Sequence, residues 1–203
     1  MKLTWHGHAC FCLETAEGSV VFDPYRDNDV PGLTLSKLTA DEVICSHGHG
    51  DHNAADKVEL TGNMPKYGKK QLNTFHDEKN GALRGKNLVT VIDAEGLRIV
   101  HLGDLGHELS PEQLSELGRV DVLMVPVGGH FTIDGKTAAK VSKAIGAKTI
   151  VPMHYRGEGF GYGVIGTVDE FLGEFDNVRF AEGNVLEIGE KCASEVVVLK
   201  CPV

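Results

Sequence analysis

The segment Ser-His-Gly-His-Gly-Asp-His at 46–52 constrains this chain more than any other, because it places four potential metal ligands within six positions. Imidazole and carboxylate groups are the donors that zinc and related divalent cations prefer. The two glycines allow sharp turns, so neighbouring side chains can converge instead of alternating in direction. Residues 41–46 read as a strand that would hold this turn at a sheet edge. A polar loop that is rich in histidine by chance is the alternative, and the density of donors favours metal binding.

Length, composition and charge narrow the class of protein. The chain has 203 residues, of which 41% are hydrophobic, so one domain over residues 1–203 is expected. Its net charge of −9 disfavours nucleic acid as a partner, because an acidic surface repels phosphate backbones. The apolar runs are short, so neither a membrane span nor a secretory signal is expected. The five cysteines lack the spacing of a disulfide framework, which predicts a cytoplasmic protein with reduced thiols.

The order of predicted elements indicates sheets flanked by helices. Alternating and β-branched residues predict strands at 3–14, 19–23, 41–46, 88–92, 97–102, 121–127 and 148–152. Capping residues and apolar periodicity predict helices at 110–117, 134–145 and 167–175. The polar, turn-rich stretch 62–85 reads as loop or short irregular strands. Hairpins come first along the chain, and alternating helices and strands follow.

Four motifs carry a resemblance to a known family. The spacing His-x-His-x-Asp-His at 47–52 matches the signature of the metallo-β-lactamase fold superfamily. His-Leu-Gly-Asp at 101–104 and Pro-Met-His at 152–154 are similar, in chain order, to its acidic bridging-ligand and final-histidine motifs. Phe-His-Asp at 75–77 stands where its third motif is expected. From Trp5 to about Tyr155 the chain thus resembles the small, stand-alone zinc-dependent hydrolases of this fold, including the lactonase-like branch.

The resemblance implies both an architecture and a ligand set. The architecture is an α+β, αββα sandwich: two mixed β-sheets packed face to face, with helices on the outside. The centre would be dinuclear, with Zn²⁺ as the expected metal and Mn²⁺ or Fe²⁺ as alternatives. Its ligands would be His47, His49 and His76 for one cation, and Asp51, His52 and His154 for the other, with Asp104 as the bridge. A hydroxide held between the cations would be the nucleophile. We hypothesise that Asp51 or a metal-bound water then passes a proton to the leaving group.

The expected activity is hydrolysis of a small ester, lactone, amide or phosphoester. Two dications against two carboxylate ligands leave the bare site at about +2, so an anionic substrate can be attracted despite the acidic chain. A nuclease or phosphodiesterase of the same fold is one alternative, and the net charge counts against it. A non-catalytic metal-binding or sensor module is another. The complete ligand set favours catalysis over that module.

Further residues are predicted to meet the substrate. His130 follows a strand in a Gly-Gly-His-Phe sequence and is interpreted as a substrate contact or oxyanion stabiliser, with a turn histidine as the alternative. Substrate contacts are also predicted at His8, Tyr155, Arg156 and Tyr162. Ordinary strand packing is the alternative for His8. The glycine-rich stretch 156–163 lacks the features of a phosphate-binding loop and is predicted to border the pocket and gate it.

The remaining histidines, Asp23 and the cysteines near the start of the chain are interpreted as residues outside the ligand set. Asp23 ends a strand and either orients a ligand histidine or caps the chain before a proline. His101 is expected to be buried or to support a ligand, and His107 to be exposed. The His-x-His-x-Cys-x-Cys pattern at 6–12 suggests a Cys2His2 zinc site. On one strand, however, these side chains would spread over about 20 Å, so that site is not expected.

Overall fold

Fourteen strands and three α-helices make up the fold, and the computed structural model describes residues 1–189 and 192–203 of the chain. The strands are β1 Lys2–Trp5, β2 Phe11–Thr15, β3 Gly18–Phe22, β4 Leu38–Ala40, β5 Glu42–Ile44, β6 Val58–Leu60, β7 Gly68–Phe75, β8 Lys86–Ala94, β9 Leu97–His101, β10 Val122–Pro126, β11 Thr149–Met153, β12 Val178–Phe180, β13 Val185–Glu187 and β14 Glu195–Val198. The helices are α1 Pro111–Leu117, α2 Gly135–Ile145 and α3 Asp169–Leu172, with a 3₁₀ turn at Ala55–Lys57.

Two mixed sheets form a sandwich, as the resemblance implies. The first has the order β13-β1-β2-β3-β5 and the second β12-β14-β11-β10-β9-β8-β7, while β4 and β6 form a separate pair. The sheets meet where the ring of Phe22, at the end of β3, stacks on that of His101, at the end of β9, with centroids 5.0 Å apart. His101 also lies 2.9 Å, through Nε2, from the carbonyl of Ala9. Apolar residues of both sheets share one hydrophobic core.

The first predicted strand is wrong, because the chain reverses within it. β1 and β2 are antiparallel, and the turn between them is closed by hydrogen bonds from His6 N to Cys10 O and from Cys10 N to Gly7 O. Gly7 and His8 adopt φ values of 95° and 52°, in the left-handed region. The distance argument against a Cys2His2 site therefore fails. Cys10 and Cys12 nevertheless face the hydrophobic core, which removes them from any metal group.

The loop prediction for 62–85 is also wrong in part, since β7 occupies Gly68–Phe75. β7 is an edge strand of the second sheet, and only Leu72 and Thr74 of its side chains are buried. An edge strand with a polar outer face lacks the apolar alternation by which a strand is predicted. Pairing with β8, in the register Leu72↔Val89, supplies the stabilisation instead. The predicted hairpin that follows is confirmed as β8 and β9.

Helices α1 and α2 begin and end where the capping residues predict. Ser110 and Gln113 form a reciprocal capping box at the start of α1. Asp134 accepts a hydrogen bond from Thr137 N at the start of α2, and Gly146 ends that helix with φ 70°. α2 packs against β10 and α3. α3 is shorter than predicted, because only one turn at Asp169–Leu172 is helical. Each helix within the described residues is too short or too polar to cross a membrane.

Most of the candidate ligands lie just beyond the ends of strands that point to one edge of the sandwich. β3 and β5 are parallel, as are β9, β10 and β11, so their carboxyl ends lie together. Asp23, Asp104 and His154 follow β3, β9 and β11, and residues 46–52 follow β5. Asp23 and His154 adopt φ values of 43° and 55°, which turn the chain immediately after each strand. Such conformations concentrate at sites where the surrounding structure holds them.

Two glycines at this edge are required by close backbone contacts. A Cβ on Gly106 would lie 2.3 Å from the carbonyl carbon of His76, and a Cβ on Gly128 would lie 2.2 Å from the carbonyl oxygen of His154. We expect Gly106→Ala and Gly128→Ala each to lower the free energy of unfolding by about 1–3 kcal/mol, because the backbone must move apart. Urea denaturation measures this.

Gly183→Ala is the matched control, because nothing lies within 4 Å of its Cβ position. It should change the free energy of unfolding by less than about 0.5 kcal/mol. Wild-type stability in both Gly106→Ala and Gly128→Ala would contradict the close packing of these loops.

Candidate metal centre

The structure brings all seven predicted ligands to one place: six of them fall into two groups, and Asp104 lies between these groups. In each group the ligand atoms lie within 4.8 Å of one another. One group contains His47, His49 and His76, and the other contains His8, Asp51, His52 and His154. These groups coincide with the division that the resemblance implies, except that His8 joins the second. His8 is 1% exposed, and its Nε2 lies 3.2 Å from Asp51 Oδ2.

Asp104 lies between the two groups. Its Oδ2 is 3.1 Å from His154 Nε2, 3.2 Å from His52 Nε2, 3.3 Å from His76 Nε2 and 4.0 Å from His47 Nε2. Burial opposes its ionisation, but the charges of His154 and His52 outweigh burial and hold the pKa of Asp104 well below its usual value. One carboxylate oxygen thus faces imidazoles of both groups.

Several buried side-chain nitrogen and oxygen atoms of this cluster form no hydrogen bond of acceptable geometry with the residues that the structure describes. They include Asp104 Oδ1 and the Nε2 atoms of His47, His52 and His154. Leaving such an atom unsatisfied costs on the order of 1–3 kcal/mol, so an accumulation of them calls for an explanation. A divalent cation accepts lone pairs from imidazole nitrogen and carboxylate oxygen together. The residues present therefore fit a metal.

The local turn that presents the first motif is held by backbone and side-chain hydrogen bonds. His52 N donates to His49 O at 3.0 Å, and Asn53 Nδ2 donates to Gly48 O at 2.8 Å, which curls residues 47–53 on themselves. A Cβ on Gly50 would lie 2.4 Å from Asp29 Oδ2. The curled backbone points alternate side chains of the motif inward instead of to opposite faces of a strand.

Asp23 orients two of the histidines. Its Oδ1 accepts from Ser46 N at 2.6 Å, and its Oδ2 accepts from Ser46 Oγ at 2.6 Å and from His52 Nδ1 at 2.8 Å. Ser46 Oγ in turn lies 2.9 Å from His47 Nδ1. Because the Ser46 hydroxyl proton is committed to Asp23, His47 Nδ1 must be the donor to Ser46. Both rings thus hold Nδ1–H away from the cluster and turn Nε2 toward it.

The histidines of the cluster differ in protonation in the chain alone. Burial lowers the pKa of His47 to about 4 and that of His8 to about 3, so both imidazoles are neutral at pH 7. Burial also opposes a charge on His52, but Asp104 and Asp23 outweigh it and raise the pKa of His52 well above its usual value. A cation and a proton therefore compete for His52 Nε2.

Two residues that sequence reasoning did not single out shape the loops around the cluster. Buried Asn87 accepts from Asp104 N at 2.9 Å and donates to Leu102 O at 2.9 Å, which fixes the turn after β9. Asp77 accepts four backbone N–H groups, from Lys79, Gly81, Leu83 and Arg84. Burial opposes ionisation, yet these bonds lower the pKa of Asp77 to about 2. Asp77 could have been suspected from the sequence because it adjoins the candidate ligand His76, whereas Asn87 adjoins no candidate ligand.

A cavity of about 290 Å³ opens over the cluster. Besides candidate ligands it is lined by Arg84, Phe131 and Tyr162. The Tyr162 hydroxyl donates to Asp29 O at 2.5 Å and lies 3.3 Å from Asp51 Oδ2. Tyr162 therefore lies where the sequence predicts, whereas Arg84 was not predicted as a site residue.

Three predicted substrate contacts lie elsewhere. Tyr155 is buried in the core, with its ring 5.6 Å from that of Trp5 and 5.9 Å from that of Phe160. Arg156 is exposed and donates through Nε to Ile165 O at 2.7 Å. His130 is exposed with φ 57°, and its ring packs against Phe131. The turn after β11 directs Tyr155 into the core, and the turn after β10 leaves Phe131, not His130, at the cavity.

The glycine-rich loop and His107 also differ from expectation. The loop 156–163 is held against residues 29–32: Gly161 N donates to Pro31 O at 2.9 Å, and a Cβ on Gly32 would lie 1.8 Å from Gly159 O. This packing forms a wall of the cavity and does not support the predicted gate. His107 is half-buried, and its Nε2 accepts from Phe75 N at 3.1 Å, so it supports the end of β7.

Comparison with known proteins agrees with this geometry. Residues 2–154 match the family model described as a beta-lactamase superfamily domain. A Thermoplasma acidophilum metal-dependent hydrolase is 30% identical over 188 residues, covering 76% of this chain and 83% of the relative. A Bacillus cereus metal-dependent hydrolase is 28% identical over 231 residues, covering 94% of this chain and 98% of the relative.

A solved structure extends the likeness to almost the whole chain. It is that of a Thermotoga maritima protein described as a Zn-dependent hydrolase of the metallo-β-lactamase superfamily. The two share 39% identity and a TM-score of 0.78, covering 98% of this chain and 97% of the other. The family match and these relatives, together with the clustered ligands, show that this chain belongs to the metallo-β-lactamase superfamily. It is a metal-dependent hydrolase of that fold.

Proposed function

We propose that this hydrolase uses two divalent cations, Zn²⁺ first among them, to cleave a small ester, lactone, amide or phosphoester. One observation carries the proposal: Asp104 Oδ2 lies within 4.0 Å of imidazole nitrogens from both ligand groups. The mixed nitrogen and oxygen donors suit zinc, and the Thermotoga maritima relative is described as Zn-dependent. The 290 Å³ cavity favours a small molecule over a polynucleotide.

The ligand groups define which residues would hold each cation. His47, His49 and His76 would hold one, and Asp51, His52 and His154 the other, with Asp104 shared. When bound, the cations would supply Lewis acidity and make hydroxide available near neutral pH. Asp23 and Ser46 would keep the His47 and His52 lone pairs aimed at the cations. The five free cysteines support a cytoplasmic location as part of the same proposal.

Asp51 is the side chain best placed to move a proton. It is 17% exposed and lines the cavity, whereas Asp104 is 2% exposed. Burial opposes its ionisation, but the hydrogen bond from His8 and the charge of His52 hold its pKa well below the usual value. Asp51 is thus a carboxylate at neutral pH, able to accept a proton on the cavity side and return it to a leaving group. His8 and the Tyr162 hydroxyl would keep it oriented.

Replacing the shared carboxylate tests the two-metal proposal. We expect Asp104→Ala to reduce bound metal from about two ions per chain to one or fewer and to lower kcat/KM by at least about 100-fold, because both groups lose a common ligand. Metal content is measured by elemental analysis, and activity on lactone, phosphodiester and β-lactam substrates.

Asp176→Asn serves as the control, because Asp176 is an exposed carboxylate far along the chain from every candidate ligand. Full activity of Asp104→Ala would contradict the bridging role. A metal content near zero in the wild-type protein after careful purification would contradict the dinuclear centre itself.

Removing the charge of Asp23 tests how the histidines are oriented. In Asp23→Asn an amide replaces one acceptor, so the Nδ1–H of His52 or the Ser46 hydroxyl loses a carboxylate partner. We expect metal affinity to fall by about 10- to 100-fold while the fold persists. Competition with a chromophoric chelator measures the affinity.

Asp41→Asn is the matched control, since Asp41 also accepts both a serine backbone N–H and its hydroxyl, from Ser19, outside the two ligand groups. Equal metal affinities for Asp23→Asn and Asp41→Asn would show that the Asp23 carboxylate does not support the ligands.

A further inference from the structure

A second cavity, of about 620 Å³, adjoins the cavity over the metal centre. The two share His49 and Arg84 as lining residues, so they are neighbours on either side of these side chains. The second cavity is also lined by Ser46, Asn73 and Lys86. Its two formal charges, on Arg84 and Lys86, are both positive, and no carboxylate of the described residues lines it. This is an electropositive recess in a chain whose net charge is −9.

We infer that Arg84 and Lys86 form an anion subsite and that the substrate carries a carboxylate or phosphate apart from its scissile bond. This inference rests on the proposed hydrolytic function, whose reaction would take place in the adjoining cavity. The two positively charged side chains would bind the anionic group while the reacting bond lies over the candidate metal ligands. The subsite therefore determines which esters or lactones are recognised.

Arg84 is held in place without being neutralised. Its Nη2 donates to His130 O at 2.9 Å, and its guanidinium carbon lies 5.9 Å from the centre of the Phe131 ring. Its own backbone N–H donates to Asp77 Oδ2 at 2.7 Å, which anchors the loop that carries it. Within the described parts of the chain, no carboxylate lies within ion-pair distance of the Arg84 guanidinium.

This arrangement leaves hydrogen-bonding capacity for a ligand. A guanidinium has five N–H donors in a planar fork, and one of them suffices for the bond to His130 O. The fork matches the two oxygens of a carboxylate or phosphate. Because side-chain and backbone bonds already order Arg84, less conformational entropy is lost when an anion binds.

Lys86 supplies the second charge. It begins β8, opposite Phe75 at the end of β7, and it is exposed. Two other lysines of the same sheet are paired with carboxylates, Lys69 with Glu42 and Lys70 with Glu116, whereas no such pair involves Lys86 in the described residues. A flexible ammonium beside a fixed guanidinium can adapt to anions of different size.

The experiment compares p-nitrophenyl esters that share a scissile bond and differ in the acyl end. The three are the butyrate, which is neutral, the hemisuccinate, which carries a carboxylate, and the 3-phosphonopropionate, which carries a phosphonate. Metal-loaded wild-type enzyme should prefer one of the anionic esters over the butyrate by about 10-fold or more in kcat/KM. The preferred anion distinguishes carboxylate from phosphate recognition.

Variants then assign the preference to the subsite. Arg84→Gln should lower kcat/KM for the preferred anionic ester by about 10- to 100-fold, mainly through KM, with the butyrate changed by less than about 3-fold. Arg84→Lys should recover part of this loss, and Lys86→Gln should show a smaller one. Metal content must stay at the wild-type level throughout.

Arg156→Gln is the matched control, because Arg156 also donates to a backbone carbonyl but lies outside both cavities. Equal losses on the neutral and anionic esters in Arg84→Gln would overturn the proposal, since Arg84 would then only anchor the His130 segment. An unchanged preference in Arg84→Gln would also overturn it.

A direct measurement of anion binding tests the subsite independently of the hydrolytic activity. If none of the esters is hydrolysed, calorimetric titration of the metal-loaded protein with 3-phosphonopropionate and with succinate still tests the subsite. At least one acid should bind about 10-fold more weakly to Arg84→Gln than to Arg156→Gln, and equal affinities would overturn the proposal. Tighter binding of a single-stranded oligonucleotide, lost in Arg84→Gln, would also overturn it in favour of a nucleic-acid surface.

Discussion

A buried carboxylate among buried imidazoles is the interaction on which this structure depends. Asp104 is 2% exposed, and its Oδ2 faces nitrogens of histidines that follow β5, β7 and β11. Burying these polar atoms without full hydrogen bonding is unfavourable for the chain alone. The cost is offset when a cation accepts their lone pairs, so metal binding and stability are coupled at this edge of the sandwich.

Hydrogen bonds from neighbouring residues fix the orientation of the candidate ligands. Asp23 and Ser46 determine which nitrogen of His47 and His52 carries the proton, and Asn87 determines the backbone path at Asp104. None of these three needs to touch a substrate. Each removes an alternative rotamer or tautomer of a ligand, and a metal site with fewer alternatives binds its cation more tightly.

Charge is distributed unevenly around the recess. The chain is acidic, with a net charge of −9, yet the recess beside the ligands carries Arg84 and Lys86. With the proposed anion subsite, a general repulsion of anions by the surface and a local attraction at the site would together favour small anions over extended polyanions. Phe131 and Tyr162 line the neighbouring cavity over the candidate ligands.

The sequence by itself determined the features that depend on neighbours along the chain. The spacing of the motif at 47–52 predicts metal ligands, and the resemblance adds Asp104 and His154. Helices α1 and α2 begin and end at their predicted capping residues. Capping, glycine turns and ligand spacing act within a few residues, so they are visible in the order of amino acids. The edge strand β7 escaped prediction because its stabilisation comes from β8.

Only the tertiary structure decided which further side chains enter the site and which enter the hydrophobic core. His8 joins the second ligand group because the chain reverses at residues 6–10, and Tyr155 enters the core because His154 adopts a left-handed conformation. Arg84 reaches the cavity through the loop that Asp77 organises, far along the chain from the first ligand motif. Side-chain direction after a turn depends on backbone angles and on contacts distant in sequence, and neither is written in local residue patterns.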